Sequence, residues 1–431
     1  MKKVCLIVLA SIALSVFAIG PSWAGSVDKL IDKLVEKKIL TKSEATELIT
    51  EMQAEEAKEA KGKKEVAAAA KEAPKTFEIP KWVENTKLKG DLRVRYETQD
   101  TKGDTNPDRN RERVRLRLGV ETNINEQWVA GFGFATGSGD PRSVDQTFED
   151  TFSTKEIRLD YAYAQYTPVA WASIIAGKFK NPIWKTEQLL WDSDINPEGI
   201  AANIKFEPVK NVELFANIGG FTLEEFSDKA NDPYLIALQP GVNFKLPGSM
   251  YLKAAGTYYN FNYVEGNKWK SGTTATSGSG TWGSGTNTNV AGVYQYDYDS
   301  FAGDIEFGIT KIPGPVPFAA VYGQYIHSMD ANDNNDGWLA GLKFGDKSIK
   351  DFGDWQLSYN YRRLEKDAWP DFLPESTAYN GNTNIKGHKG LVGFGIYKNV
   401  YLSLTYFNFE HIQKTVDDTQ TVLQADLNVK F

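Results

Sequence analysis

From Lys87 onward the chain alternates apolar and polar residues with a period of two. The clearest runs put Val114, Leu116, Leu118 and Val120 on one side, then Val212, Leu214, Ala216 and Ile218, then Phe301, Gly303, Ile305, Phe307 and Ile309. The stretch Thr421 to Phe431 is the cleanest: Leu423, Ala425, Leu427, Val429 and Phe431 share one face, and Gln424, Asp426, Asn428 and Lys430 the other. Alternation of this kind predicts strands with one face in an apolar medium and one in water. Sixteen segments qualify: 87–98, 111–124, 128–136, 156–167, 172–180, 199–207, 211–221, 235–246, 250–260, 300–310, 317–327, 337–345, 355–363, 389–397, 400–410 and 421–431. The eleventh and fourteenth alternate poorly, and Pro240 interrupts the eighth, where a missing N–H weakens pairing.

The connections add topology. Those after odd-numbered segments are long: 99–110, 137–155, 181–198, 222–234, 261–299, 328–336, 364–388 and 411–420. Those after even-numbered segments are mostly short, around Asn125, Val169, Val209, Pro247, Pro313 and Asn399, with a longer one near Asp346. This rhythm is what a transmembrane antiparallel β-barrel requires, with short turns on one side of the membrane and long loops on the other. A soluble sandwich needs no such rhythm. Sixteen strands would enclose an aqueous lumen.

Before Lys87 the period is helical. Val27, Leu30, Ile31, Leu34 and Val35 recur at helix spacing, Thr41-Lys42-Ser43-Glu44 reads as a capping box, and Ala45, Leu48, Ile49 and Met52 line a second helix. The stripe is too short to stand alone, so residues 25–80 are expected to be a periplasmic helical arm and linker, either a plain arm or part of a coiled bundle. Residues 1–24 have a basic start (Lys2, Lys3), an apolar run from Val4 to Ile19 and small residues at Ser22 and Ala24. That is the pattern of a secretory signal peptide cut after Ala24. The domain expectation is therefore signal 1–24, arm 25–80 and barrel 81–431.

Composition narrows the classes of function. The single cysteine, Cys5, lies in the signal, so disulfides and Cys-bound metals are excluded from the mature chain. A formal charge of −7 argues against nucleic-acid binding. His327, His388 and His411 are far apart, with no metal spacing and no sign of a lipid-facing Ser/His catalytic pair. No cofactor, metal or enzyme activity is expected. The mean hydropathy of −0.42 is compatible with a barrel, because half of each strand faces water.

Function should then lie in the wall of the lumen. With Val114, Leu116 and Leu118 outward, Arg113, Arg115 and Arg117 point inward; the first strand sends Lys89, Asp91, Arg93, Arg95 and Glu97 the same way. Folding that hairpin about its loop sets Arg93 near Arg115 and Asp91 near Arg117. The fourth strand adds Arg158 and Asp160. Asp304 and Glu306, on the roughly opposite tenth strand, would complete a transverse field that orients dipolar solutes. The plainer reading is that the arginines pair with neighbouring carboxylates and stiffen the wall. The third long connection, with Trp184, Glu187, Leu189, Leu190, Trp191, Asp192 and Asp194, is too apolar for a solvated loop. It either folds inward as a constriction, into room left by Gly131 and Gly133, or latches a neighbouring protomer.

The run R-V-R-L-R-L-G-V-E at 113–121, with G-K-F-K-N-P at 177–182 and W-D-S-D-I-N-P-E-G at 191–199, resembles the bacterial outer-membrane putative-porin family and, more loosely, the phosphate-selective O/P-type porins. The resemblance implies a passive outer-membrane channel for small hydrophilic solutes or ions, surrounded by lipid and assembled as a homotrimer. It also implies a constricting third loop and a terminal Phe431 read by the barrel-assembly machinery. It does not imply phosphate selectivity, since no lysine ladder is present. A substrate-specific channel, with anion selectivity as one form of it, and a structural tether using residues 25–73 are the competing readings.

Overall fold

The computed structural model describes residues 84–103, 107–227, 229–268, 285–414 and 416–431. The expected signal peptide and helical arm lie outside them. Among the described residues, sixteen strands build a closed antiparallel β-barrel. The first eight are β1 Thr86–Thr101, β2 Arg109–Asn123, β3 Trp128–Thr136, β4 Ile157–Val169, β5 Ala172–Lys178, β6 Glu198–Val209, β7 Val212–Thr222 and β8 Tyr234–Leu246. The second eight are β9 Met250–Asn262, β10 Ser300–Thr310, β11 Phe318–Ser328, β12 Asp336–Gly345, β13 Trp355–Leu364, β14 Ile385–Tyr397, β15 Val400–His411 and β16 Gln420–Lys430. Each strand pairs with its neighbours in sequence, and β1 closes on β16 from Asp91↔Lys430 to Thr101↔Gln420. Two short additions lie in loops: Gln146–Thr147 beside Arg113 and Val114 of β2, and a small hairpin of Asn289–Val290 with Val293–Tyr294.

Burial is inverted relative to a soluble protein. In β16, Leu423 and Leu427 are exposed, whereas Gln424, Asp426 and Asn428 are buried. An outward apolar surface and an inward polar one are what a lipid-embedded wall requires, because backbone groups are paired around the ring and side chains alone meet the solvent on either face.

The inward face is not polar throughout. Phe179, Leu189, Leu190, Trp191, Tyr259, Phe261, Tyr322, Ile326, Leu339, Trp369, Phe372, Phe407 and Phe409 form a buried apolar cluster inside the barrel. It is built by the third loop (179–197) and the seventh loop (365–384) packing on β9 and β11 to β15. Trp369 stands edge-on to Tyr259 at 4.7 Å, to Phe261 at 5.2 Å and to Trp191 at 6.0 Å. Each such side chain contributes about 1.5–3 kcal/mol by leaving water. The aqueous lumen expected of sixteen strands is therefore partly filled by apolar side chains. The cluster also explains the weak alternation of β11: Ala320, Tyr322 and Ile326 face the loops while Val321 and Tyr325 face outward, so both faces are apolar. In β8, Pro240 sits outward, and the ladder to β9 skips from Gly241 to Leu238.

The closing seam is tight at one point. Gly90 and Phe431 exchange backbone hydrogen bonds of 2.7 and 3.0 Å, and the Phe431 ring covers Gly90. A Cβ on Gly90 would meet that ring and the Arg117 carbonyl oxygen at 2.9 Å. Gly90→Val is expected to destabilise the closed barrel by about 1–3 kcal/mol through overpacking. The loss should appear as a lower temperature for the mobility shift between folded and unfolded barrel on gels.

Candidate functional site

The hairpin of β1 and β2 carries a dense array of charges. Its register sets Arg93 opposite Arg115, Asp91 opposite Arg117 and Arg95 opposite Arg113. Like charges placed opposite one another destabilise a sheet unless something intervenes. Carboxylates from four elements intervene. Asp91 accepts Nε and Nη2 of Arg115 at 2.9 and 2.6 Å. Asp194 of the third loop accepts Arg117 at 2.6 Å. Asp145 of the second loop (137–156) accepts Arg93 at 2.5 Å and lies 3.5 Å from Arg95 and 3.8 Å from Arg113. Asp426 of β16 takes Arg95 in a two-pronged bond at 2.7 and 2.8 Å. Glu97 binds Arg111 and lies 3.6 Å from Arg113. Lys89, at the turn end of β1, is exposed and lies 3.7 Å from Glu121. Burial works against ionisation of Asp145, but the Arg93, Arg95 and Arg113 guanidiniums outweigh it and hold the carboxyl well below its ordinary range.

The other predicted residues are distributed differently. Asp160 is the extra residue of a bulge in the β3–β4 pairing, and Arg158 lies just beyond it, opposite Ala135. Arg158 pairs with Glu156, and Asp160 accepts Asn196 Nδ2 at 2.7 Å. Both line a cavity of about 690 Å³ with Trp191, Phe221 and Phe372, which shares Ser143 and Asp194 with the space beside the arginines. Asp304 does not face the arginines across open space. It is buried and accepts both Thr186 N at 2.8 Å and Thr186 Oγ1 at 3.0 Å, so it anchors the third loop. Glu306 accepts Tyr251 OH at 2.6 Å and lies 3.6 Å from Lys343. Nor does the third loop fill the space above Gly131 and Gly133: Tyr163 and Tyr161 of β4 lie over those glycines.

The third loop instead reaches residues of many strands. Gln239 of β8 pairs with both backbone groups of Trp184, accepting N–H at 2.8 Å and donating to C=O at 2.7 Å. The Trp184 ring lies under Lys253 Nζ at 4.3 Å and edge-on to Phe215. Trp191 Nε1 donates to Tyr259 OH at 3.3 Å, and Trp369 Nε1 donates to the Leu190 carbonyl at 2.7 Å. Lys343 Nζ donates to the Thr186 carbonyl at 3.2 Å.

Four charges clamp the third and seventh loops together. Glu375 of the seventh loop accepts Arg362 Nη1 at 2.7 Å and Lys389 Nζ at 2.6 Å. Arg362 also donates to the Gln188 carbonyl at 3.2 Å, and Lys389 lies 3.6 Å from Glu187. Arg362 is 1% exposed. Burial would push Glu187 up, yet Lys389, Arg362 and Lys343 hold it at about 2. None of Arg362, Glu375 and Lys389 stood out in the sequence. The signal for the seventh loop was nonetheless present, in the apolar residues Trp369, Phe372 and Leu373 of an otherwise long connection.

Asp192 behaves oppositely to Glu187. Burial, and then the neighbouring Asp194, push it up to about 7, although it accepts Ser376 N at 2.8 Å and Asp194 N at 2.9 Å. A carboxyl raised in the fold binds its proton more tightly there than in the unfolded chain. Its contribution is therefore present at low pH and is lost as pH rises from the ordinary carboxylate range, about 4, through about 7. Noise in single-channel current is expected to increase as pH rises through that window, with the step absent in Asp192→Asn.

Between the arginine array and the two loops lies a cavity of about 260 Å³, bordered by Arg93, Arg115, Asp192, Glu375, Lys389 and Asn428 among others. A smaller one of about 120 Å³ lies by Glu97, Arg111 and Asn380. The two share Arg113, Ser143, Ser376 and Thr377 as border residues. Three polar side chains and one guanidinium thus border both chambers.

The family model described as "Putative porin" matches residues 99–296 and 296–431, most of the barrel. The chain belongs to this family. Among solved structures, the porin is similar to OprB of Pseudomonas putida in its high-pH structure, with 9% identity and a TM-score of 0.51 over 81% of this chain and 95% of that one. Looser overlaps occur with a loop-deleted OmpT of Vibrio cholerae (11% identity, TM-score 0.42, 80% of this chain, 99% of that one). A mutant porin of Rh. blastica overlaps similarly (9% identity, TM-score 0.43, 80% and 100%). At these identities the likeness to OprB concerns the fold. A search of curated sequences returned no match. Family and fold together make the protein an outer-membrane channel of the porin type.

Proposed function

We propose that the barrel lets small hydrophilic solutes and ions diffuse across the outer membrane, through a lumen narrowed by the third and seventh loops. The reading rests above all on the chamber between the arginine array and those loops, a water-accessible space lined by charged groups inside an apolar-coated wall. The long loops face outside and the short turns face the periplasm, as the length rhythm favours. Phe431 then lies at the periplasmic rim, where the barrel-assembly machinery reads it. The signal peptide, periplasmic arm, surrounding lipid and homotrimeric assembly belong to the same proposal.

The arginines are interleaved with carboxylates, so the expected ion preference is weak. Purified full-length protein in planar bilayers should give discrete conductance steps and, under a salt gradient, a reversal potential close to zero. Absence of steps from folded protein would overturn the channel reading. A second reading, a channel narrow enough to select its solute, is favoured by the seventh loop adding its own apolar mass to the lumen. Liposome swelling with uncharged solutes of increasing size separates the two, since a general channel shows a graded cutoff and a selective one admits a single class.

A further inference from the structure

The outward face of β12 to β15 carries an unusual pairing at its long-loop end. Arg363 of β13 and Lys386 of β14 are direct cross-strand partners, both pointing away from the lumen and both about one-third exposed. Residues opposite one another in a sheet have Cβ atoms about 4.5–5.5 Å apart, and like charges there repel. The neighbouring carboxylates do not lie between them. Glu365 takes Arg363 from one side at 3.0 Å, and Glu410 takes Lys386 from the other at 3.0 Å. Glu410 is moreover shared with Lys414, so one carboxylate serves two ammonium groups. Asp336, the next nearest acid on this face, is engaged by Tyr325 and His327. In the interior, by contrast, every opposed arginine pair has a carboxylate reaching in from another element.

The two cations stand at the edge of an aromatic shelf. Trp338, the cross-strand partner of Arg363, packs on Tyr361 at 5.4 Å, and Tyr361 meets His388 at 4.9 Å. Outward aromatics at the end of a barrel mark the interface between acyl chains and headgroups. The geometry points to a site here for the phosphate-monoester headgroup of an outer-leaflet amphiphile, gripped by Arg363 and Lys386 with its acyl portion against Trp338 and Tyr361. A dianionic phosphate accepts the planar fork of an arginine and the point charge of a lysine at once. It would turn a repulsive pair into a bridged one. The inference rests on the orientation proposed above, with the long loops outward.

The test uses full-length protein in nanodiscs of phosphatidylcholine doped with phosphatidic acid, a lipid bearing a phosphate monoester, with retained lipids counted by native mass spectrometry. Phosphatidic acid should be retained over phosphatidylcholine, and the Arg363→Gln/Lys386→Gln double variant should lose about tenfold of that preference, the scale of one charge-assisted hydrogen bond. Glu410→Gln, which removes the shared competitor, should strengthen retention, and it carries the test if the double variant does not fold. Lys311→Gln, on a short turn at the opposite rim, should leave retention unchanged. An unchanged preference in the double variant, or no gain in Glu410→Gln, would overturn the site. Displacement of the lipid by millimolar inorganic phosphate would also overturn it, by assigning the pair to a free solute. Bilayer conductance measured on the same variants should remain at the wild-type level, which keeps a failure here distinct from a failure of the channel reading.

Discussion

Glu375→Ala is expected to release both inner loops and raise single-channel conductance severalfold. The carboxylate is buried and holds two buried cations, Arg362 and Lys389, at 2.7 and 2.6 Å. Removing one partner of a buried pair leaves an uncompensated charge, at a cost of about 3–5 kcal/mol. Here two cations lose their shared carboxylate together: Lys389 keeps Glu187 at 3.6 Å, and Arg362 keeps only the neutral Asn360 and Gln188 oxygens. The loops can relieve the strain by lifting away from β13 and β14, which admits water to Arg362 and Lys389. The wall itself is stitched by backbone bonds that the variant does not touch. Planar-bilayer recording should therefore show larger, noisier steps, while the barrel keeps its strand content by circular dichroism. Wild-type conductance in a folded Glu375→Ala protein would show that this clamp does not hold the lumen narrow.

The second large effect is a change of ion preference with opposite signs for two variants. Asp145 faces Arg93, Arg95 and Arg113 within 4 Å, so Asp145→Ala leaves three guanidiniums with less compensation. Field in a narrow, partly dehydrated chamber favours the counter-ion of whichever charge is in excess. Asp145→Ala should move the reversal potential toward anion preference. Neutralising Arg113, Arg115 and Arg117 to glutamine should move it toward cations, because Asp91 and Asp194 lose their partners and Glu97 keeps only Arg111 and Arg95. Both shifts should shrink at high salt as screening sets in. Shifts of the same sign, or none in the triple variant, would show that these groups serve only to stiffen the wall.

Much of the barrel was legible because its two solvents impose the same alternation strand after strand. Val114, Leu116 and Leu118 announce lipid on one side, and the Arg113, Arg115 and Arg117 between them must take the other. The hairpin register followed from folding about a single loop, and Asp91↔Arg117 is where that fold put it. What alternation cannot report is where a loop goes. Asp304 looked like an open carboxylate on a far wall, and only the course of the third loop decides that Thr186 caps it. Lys389 was hidden because its strand alternates badly: Lys386, His388 and Gly390 fall on its outward positions and Ile385 and Leu391 on its inward ones. Gly131 and Gly133 did signal space, but tyrosines two strand-positions apart on β4 could fill it as well as a loop. Long-range partners of this kind are set by packing, which has no period along the chain.

The seam between β1 and β16 has a bearing on how the barrel can be built. Arg95 and Asp426 are 331 positions apart, yet each satisfies the other in a buried, two-pronged bond. A contact of such sequence separation forms late, because it must wait for everything between its ends. Until β16 docks, Arg95 lies beside Arg113 with Asp145 and Glu97 already shared among several guanidiniums. An unclosed or misregistered sheet therefore carries a surplus charge at its free edge, and a one-residue slip of β16 would turn Asp426 to the outer face. The register of β16 is thus also a charge balance: only the observed pairing brings Asp426 to Arg95, and a slipped or open seam leaves that guanidinium without its carboxylate.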